Sequence, residues 1–149
     1  MIRILIAFVA VIVGTLIGGM ANFGIGMLNV VFFPAPEGTT FQELIKPENR
    51  DALIDWLGSL PQSAFILPIV AHLSQAFIGG FVAALIAKRN MMCVAMVVGA
   101  LTLVGGVINI LSIPTPMWLW IEMPLYLVVA WWAAKLVMRL RKANTSITQ

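Results

Sequence analysis

Four apolar stretches, Ile4 to about Phe33, Ala64 to Ala87, Met91 to Ile113 and Met117 to about Met138, fill most of the 149 residues. Each exceeds the ~20 residues that carry a helix across a hydrocarbon core. A water-soluble domain of this size needs far more polar surface than 61% hydrophobic and 10% charged residues provide. The expected fold is therefore an all-α membrane protein, a four-helix bundle with spans at about 4–33, 64–87, 91–113 and 117–138. Residues 34–63 form an outer loop and 139–149 a cytoplasmic tail of the same single domain.

The charges set an orientation. Arg3 precedes the first span, Lys88 and Arg89 separate the second from the third, and Lys135, Arg139, Arg141 and Lys142 end the fourth, which accounts for seven of the nine basic residues. The other two, Lys46 and Arg50, share the loop with Glu37, Glu43, Glu48, Asp51 and Asp55. By the positive-inside rule both termini face the cytoplasm. The net charge of +3 sits at helix ends, where it meets anionic lipid headgroups, so nucleic acid is not an expected partner. The first apolar run is much longer than the ~7–15 residues of a signal-peptide core and is read as a retained helix. Cys93 is the only cysteine, which excludes an intramolecular disulfide.

The sequence also suggests a repeat. Thr15-Leu16-Ile17-Gly18-Gly19-Met20-Ala21-Asn22 matches Thr102-Leu103-Val104-Gly105-Gly106-Val107-Ile108-Asn109, and each segment runs toward a Pro-x-Pro, Pro34-Ala35-Pro36 or Pro114-Thr115-Pro116. Two spans per unit would give two tandem helical hairpins in parallel orientation. At an offset of fifty positions, the second span falls on the fourth with His72 over Glu122.

Polar residues converge at one depth. Asn22 lies nineteen positions after Arg3, and Asn109 twenty after Arg89, which puts both ~29 Å from the inner charged boundary. His72 and Glu122 fall at ~25 Å on the same ruler. Gln75 lies one turn from His72, and Asn29 lies further out. An ionisable group in hydrocarbon costs ~3 kcal/mol even on the lenient insertion scale, so His72 and Glu122 are expected to face inward. Either a neutral pair or an ion pair satisfies that expectation. The candidate ligand or proton site is thus His72, Glu122, Asn22, Asn109, Gln75 and Asn29. One histidine without a thiol or acidic cluster gives no metal site, and no cofactor is expected.

Gly14, Gly18, Gly19, Gly79, Gly80, Gly105 and Gly106 are candidates for close helix packing, within the chain or between two copies of it. Gly24 and Gly26 suggest that the long first helix breaks, tilts or protrudes. In the loop, Thr40-Phe41-Gln42-Glu43 reads as a capping box. Pro47 then opens a second short helix with Leu53, Ile54, Trp56 and Leu57 on one face. This amphipathic segment is expected to lie at the outer interface over the polar cluster. Trp118 and Trp120 fit an aromatic belt, whereas Trp131 and Trp132 lie deeper, and at least one of them is expected to pack inside or line a lipid-facing groove.

The segments Pro34-Ala35-Pro36-Glu37-Gly38, Ala71-His72 through Gly79-Gly80, and Gly105-Gly106 through Asn109, Pro114, Pro116 and Trp118 resemble a family of short uncharacterised bacterial four-span inner-membrane proteins. The resemblance covers roughly residues 15–135 and implies an inner-membrane location and a fold, but no reaction. The chain departs from it at Ser74-Gln75, where a glycine is expected, and at Glu122, where Asp is expected.

Three functions remain open at this stage. The first is a non-catalytic module whose outer-leaflet pocket binds a lipid-like ligand or a membrane-protein partner. The second is a small oligomeric transporter with His72 and Glu122 as its proton or cation site. The third is an enzyme on a lipid-linked substrate, for which the sequence offers no nucleophile with a base and an orienting group.

Overall fold

A computed structural model describes residues 2–147, and no β-strand occurs among them. Six α-helices follow in order: α1 (Ile2–Phe32), α2 (Phe41–Leu44), α3 (Arg50–Ser59), α4 (Ile66–Ala87), α5 (Met91–Ser112) and α6 (Glu122–Ile147). The single turns Gln62–Phe65 and Met117–Ile121 lead into α4 and α6. Four segments, Ile2–Phe32, Gln62–Ala87, Met91–Ser112 and Met117–Asn144, are long and apolar enough to cross a membrane.

Each boundary has a local cause. Pro34 disfavours helical backbone at the residue before it, and α1 closes there with Phe33 N–H donating to Asn29 O at 2.8 Å. Gly38, at φ 80°, then turns the chain back, with Thr39 N–H reaching Pro36 O at 3.1 Å. The capping box forms: Glu43 N–H donates to Thr40 Oγ1 at 3.3 Å, and Thr40 N–H to Glu43 Oε2 at 2.9 Å. Asn49 ties α2 to α3 by donating from its amide to Glu43 O at 2.8 Å. Leu44 and Leu53 are buried beneath the pair, and Phe41 meets Trp56 at 6.1 Å between ring centroids. Between α4 and α5 only Lys88, Arg89 and Asn90 intervene, and Asn90 takes the left-handed conformation that asparagine tolerates.

Two expectations are narrowed. α1 is continuous through Gly24 and Gly26, which removes a break and leaves tilt or protrusion, because an intact helix satisfies its own backbone groups and a break in an apolar setting does not. Neither Trp131 nor Trp132 packs inside, at 43% and 61% exposed with Lys135 Nζ 5.2 Å from the Trp131 ring centroid, which leaves the outward-facing alternative. Helix α6 runs on through residues 139–147, and residues 148 and 149 lie outside the described residues.

α4 is the hub, packed against α1, α5 and α6, while α5 also packs on α6. Its buried face is Ala71, Ala76, Gly79, Gly80, Ala83, Ala84 and Ala87. A Cβ built on Gly14 would stand 2.5 Å from Gly79 O and 2.9 Å from Ala83 Cβ, and one on Gly79 would stand 2.8 Å from Gly14 O. One on Gly18 would overlap the Gln75 carbonyl. These contacts make α1 and α4 antiparallel neighbours at backbone distance. Gly80 packs at ordinary distance on Ala130, and Gly106 receives the Tyr126 ring. Gly19 and Gly105, also expected at interfaces, face open space, and the unanticipated Gly99 is the position closed by Ala130. Toward the Lys88 end, Ala10, Ala83, Val94 and Val98 form one buried cluster and Ala84, Ala95, Ala134 and Val137 another.

Candidate functional site

The interhelical stripes change character toward the other end. On α1 the face that carries Gly14 and Gly18 continues through Asn22 and on to Asn29, at helical spacing. On α5 the face of Gly99 runs through Thr102, Gly106 and Asn109, and on α6 Ala130 is preceded by Tyr126 and Glu122. Polar side chains therefore replace small ones at the same height on all four long helices.

The structure brings the six sequence-derived residues together. His72 Nδ1 lies 3.3 Å from Glu122 Oε1 and 3.5 Å from Oε2, with the His72 side chain 21% exposed and Glu122 3%. Asn22 Nδ2 donates to Gln75 Oε1 at 2.6 Å, joining α1 to α4. Asn29 and Asn109 line the space beside these pairs.

That space has two chambers. One, of ≈ 270 Å³, lies between the ends of α1 and α5, the starts of α4 and α6, and the α2–α3 segment. Its walls are largely apolar: Phe33, Phe41, Trp56, Leu57, Leu60, Phe65, Ile110, Ile113 and Leu119. The other, of ≈ 240 Å³, is lined by Asn22, His72, Gln75, Thr102, Gly105, Gly106, Asn109 and Tyr126. Asn22, His72 and Asn109 line both, so these side chains form a wall that the chambers share. Thr102 is seven residues before Asn109, so the polar chamber runs ~10 Å along α5. Each chamber approaches the lower end of the size of small-molecule sites, roughly 300–1,000 Å³.

Two polar-chamber residues were absent from the sequence-derived set. Tyr126 is fully buried, its ring edge toward His72 at 6.4 Å between centroids. Its hydroxyl lies beside the Glu122 carboxylate, within reach of donating to it, but makes no hydrogen bond of good geometry. Thr102 is buried with its hydroxyl donating to Val98 O at 3.0 Å. Both could be found by spacing, since Tyr126 is four residues after Glu122 and Thr102 seven before Asn109. Asn29 Oδ1 and Thr115 Oγ1, on the apolar chamber, are also buried without a partner.

Buried polar atoms are ordinarily hydrogen-bonded, so the two orphaned oxygens of Asn29 and Thr115 on the apolar chamber are suited to water or a ligand. With Nδ1 turned to Glu122, His72 keeps Nε2 for another partner, and the carboxylate fixes the ring's orientation. No group of three or more His, Cys, Asp or Glu side chains converges among the described residues. Ser74 Oγ donates to Ala71 O at 2.7 Å, which leaves no hydroxyl nucleophile paired with His72.

No family model, curated protein or solved structure matches the chain.

Proposed function

We propose that this is a multi-pass membrane protein that holds a lipid-like amphiphile, chain in the apolar chamber and head in the polar one. The observation that carries this reading is the junction of the two chambers at His72, Asn22 and Asn109. An apolar compartment opening onto a small set of convergent polar groups is the usual form of such a site. The distribution of basic residues supports both termini in the cytoplasm, which sets the cavity in the outer leaflet beneath α2 and α3. The family resemblance supports the bacterial inner membrane as its location. The matched Asn22 and Asn109 and the His72–Glu122 contact favour two parallel hairpins, although the two Gly-Gly pairs pack through different members, Gly18 in one and Gly106 in the other.

A transport path within one chain is disfavoured by the two alanine- and valine-filled clusters between the cavity and the Lys88 end. The test is native mass spectrometry of the protein released gently from membranes. A retained lipid is expected with the wild type and lost with Leu57→Asp, which puts a charge into the apolar chamber. Wild type and Leu57→Asp carrying the same lipids would refute the reading. In proteoliposomes, a proton or cation flux abolished by Glu122→Gln would favour the transporter instead.

A further inference from the structure

We infer that the head group held in the polar chamber is uncharged and bears hydroxyl or amide groups, such as the glycerol end of a monoacylglycerol. This rests on the amphiphile reading above and narrows it.

The chemistry of the walls selects the head group. No Lys or Arg lines either chamber, so a phosphate or carboxylate drawn into this buried space would meet no countercharge. The only ionisable pair there, His72 and Glu122, is already engaged with itself at 3.3 Å. Glu122 lines the apolar chamber rather than the polar one, and its carboxylate faces the His72 ring. A cationic head seated in the polar chamber would therefore meet no carboxylate on that chamber's wall.

What remains for a ligand is a set of neutral groups that both donate and accept. The Asn109 amide and the Gln75 amide N–H groups face one chamber without a protein acceptor, and the Tyr126 hydroxyl lines the same wall beside Glu122. His72 adds Nε2 at the junction. Such a mixture matches an alcohol or a carboxamide, whose groups also donate and accept. Asn29 Oδ1 and Thr115 Oγ1, buried on the adjoining chamber without a partner, are the independent sign of missing partners, because a buried polar atom without one is costly.

Three probes that share one oleyl-type chain isolate the head: monooleoylglycerol, oleyl phosphate and oleylamine, each titrated by native mass spectrometry into the full chain after delipidation in detergent. Monooleoylglycerol is expected to bind, with oleyl phosphate about 100-fold weaker. Tyr126→Phe, which deletes one oxygen and keeps the ring, is expected to weaken monooleoylglycerol about tenfold. Asn109→Ala should act likewise and supplies a second variant. Oleyl phosphate binding as tightly as monooleoylglycerol would overturn the head-group inference and leave the amphiphile site standing. Oleylamine binding most tightly would overturn it by making the Glu122 charge the point of recognition. Binding of none of the three would remove the amphiphile reading itself.

Discussion

The face that α1 turns to α4 does two opposite things along its length. At Gly14 and Gly18 it lets two backbones touch, with no space for a single added methyl group. At Asn22, and on to Asn29, the same face borders a cavity and carries an oxygen with no partner. Where no hydrophobic drive exists between helices, close van der Waals contact of small residues fixes their positions, and that rigid half can hold apart a second half that is incompletely packed. The closed seam and the open chamber are thus one design read from its two ends, and substitutions in each should fail differently.

The largest effect is expected from the seam. Gly79→Leu drives a branched side chain into the Gly14 carbonyl and the Val98 side chain, so the loss should lie at or above the upper end of the ~1–3 kcal/mol typical of overpacking. Gly19→Leu, one residue from the buried Gly18 and facing open space, should change stability by less than ~0.5 kcal/mol. Denaturation in mixed micelles compares the two. Equal losses would mean that the seam is not where α1 is held.

Next comes the His72–Glu122 contact. Glu122→Gln keeps an oxygen that can accept from His72 Nδ1, and its cost should stay near ~0.6 kcal/mol, the mean for hydrogen bonds between membrane helices. Glu122→Leu leaves the half-buried His72 Nδ1 without its partner and should cost more, toward ~1–3 kcal/mol. If the glutamine variant falls as far as the leucine variant, the carboxylate's charge, not its hydrogen bond, holds the pair. A smaller effect is expected for Asn22 with Gln75. A double-mutant cycle to alanine should return a coupling of ~0.6 kcal/mol and no more than ~1.7. Zero coupling would detach α1 from the chamber.

How much of this was legible in the sequence follows from what each signal depends on. The spans were legible because crossing length and apolarity are properties of a segment by itself. The inward facing of His72 and Glu122 was legible because an ionisable group on the outside of an apolar span is costly. The capped outer helices were legible because Thr40, Glu43 and Pro47 act over a single turn. Which glycine of each pair would pack was not, since neighbours on a helix point about 100° apart and only the partner's position chooses between them. Gly18 meets α4 while Gly19 does not, and in the second pair the choice falls the other way. The choice between inside and outside for Trp131 and Trp132 stayed open for the same reason, because depth along a helix is readable in sequence and rotation about it is not. Tyr126 was missed, although its spacing of four residues from Glu122 puts the two on one helix face.

Tyr126 offers the finest test of the difference between the two ends. Its ring is packed as closely as the seam, filling the space that Gly106 leaves, with Gly106's absent Cβ position 2.7 Å from the ring edge. Its hydroxyl lines the polar chamber, buried beside the Glu122 carboxylate without a hydrogen bond of good geometry. Deleting the hydroxyl while keeping the ring should therefore change the empty protein by no more than ~0.5 kcal/mol, because a poorly aligned contact contributes little. Adding a bound amphiphile should separate the variants, since a ligand stabilises whatever state binds it in proportion to its affinity. Wild type should gain more stability from saturating ligand than Tyr126→Phe, measured by denaturation of the delipidated protein with and without monooleoylglycerol. If Tyr126→Phe instead weakens the empty protein as much as Asn22→Ala does, the hydroxyl is a packing contact like those of the seam, and the chamber is not a space awaiting a ligand.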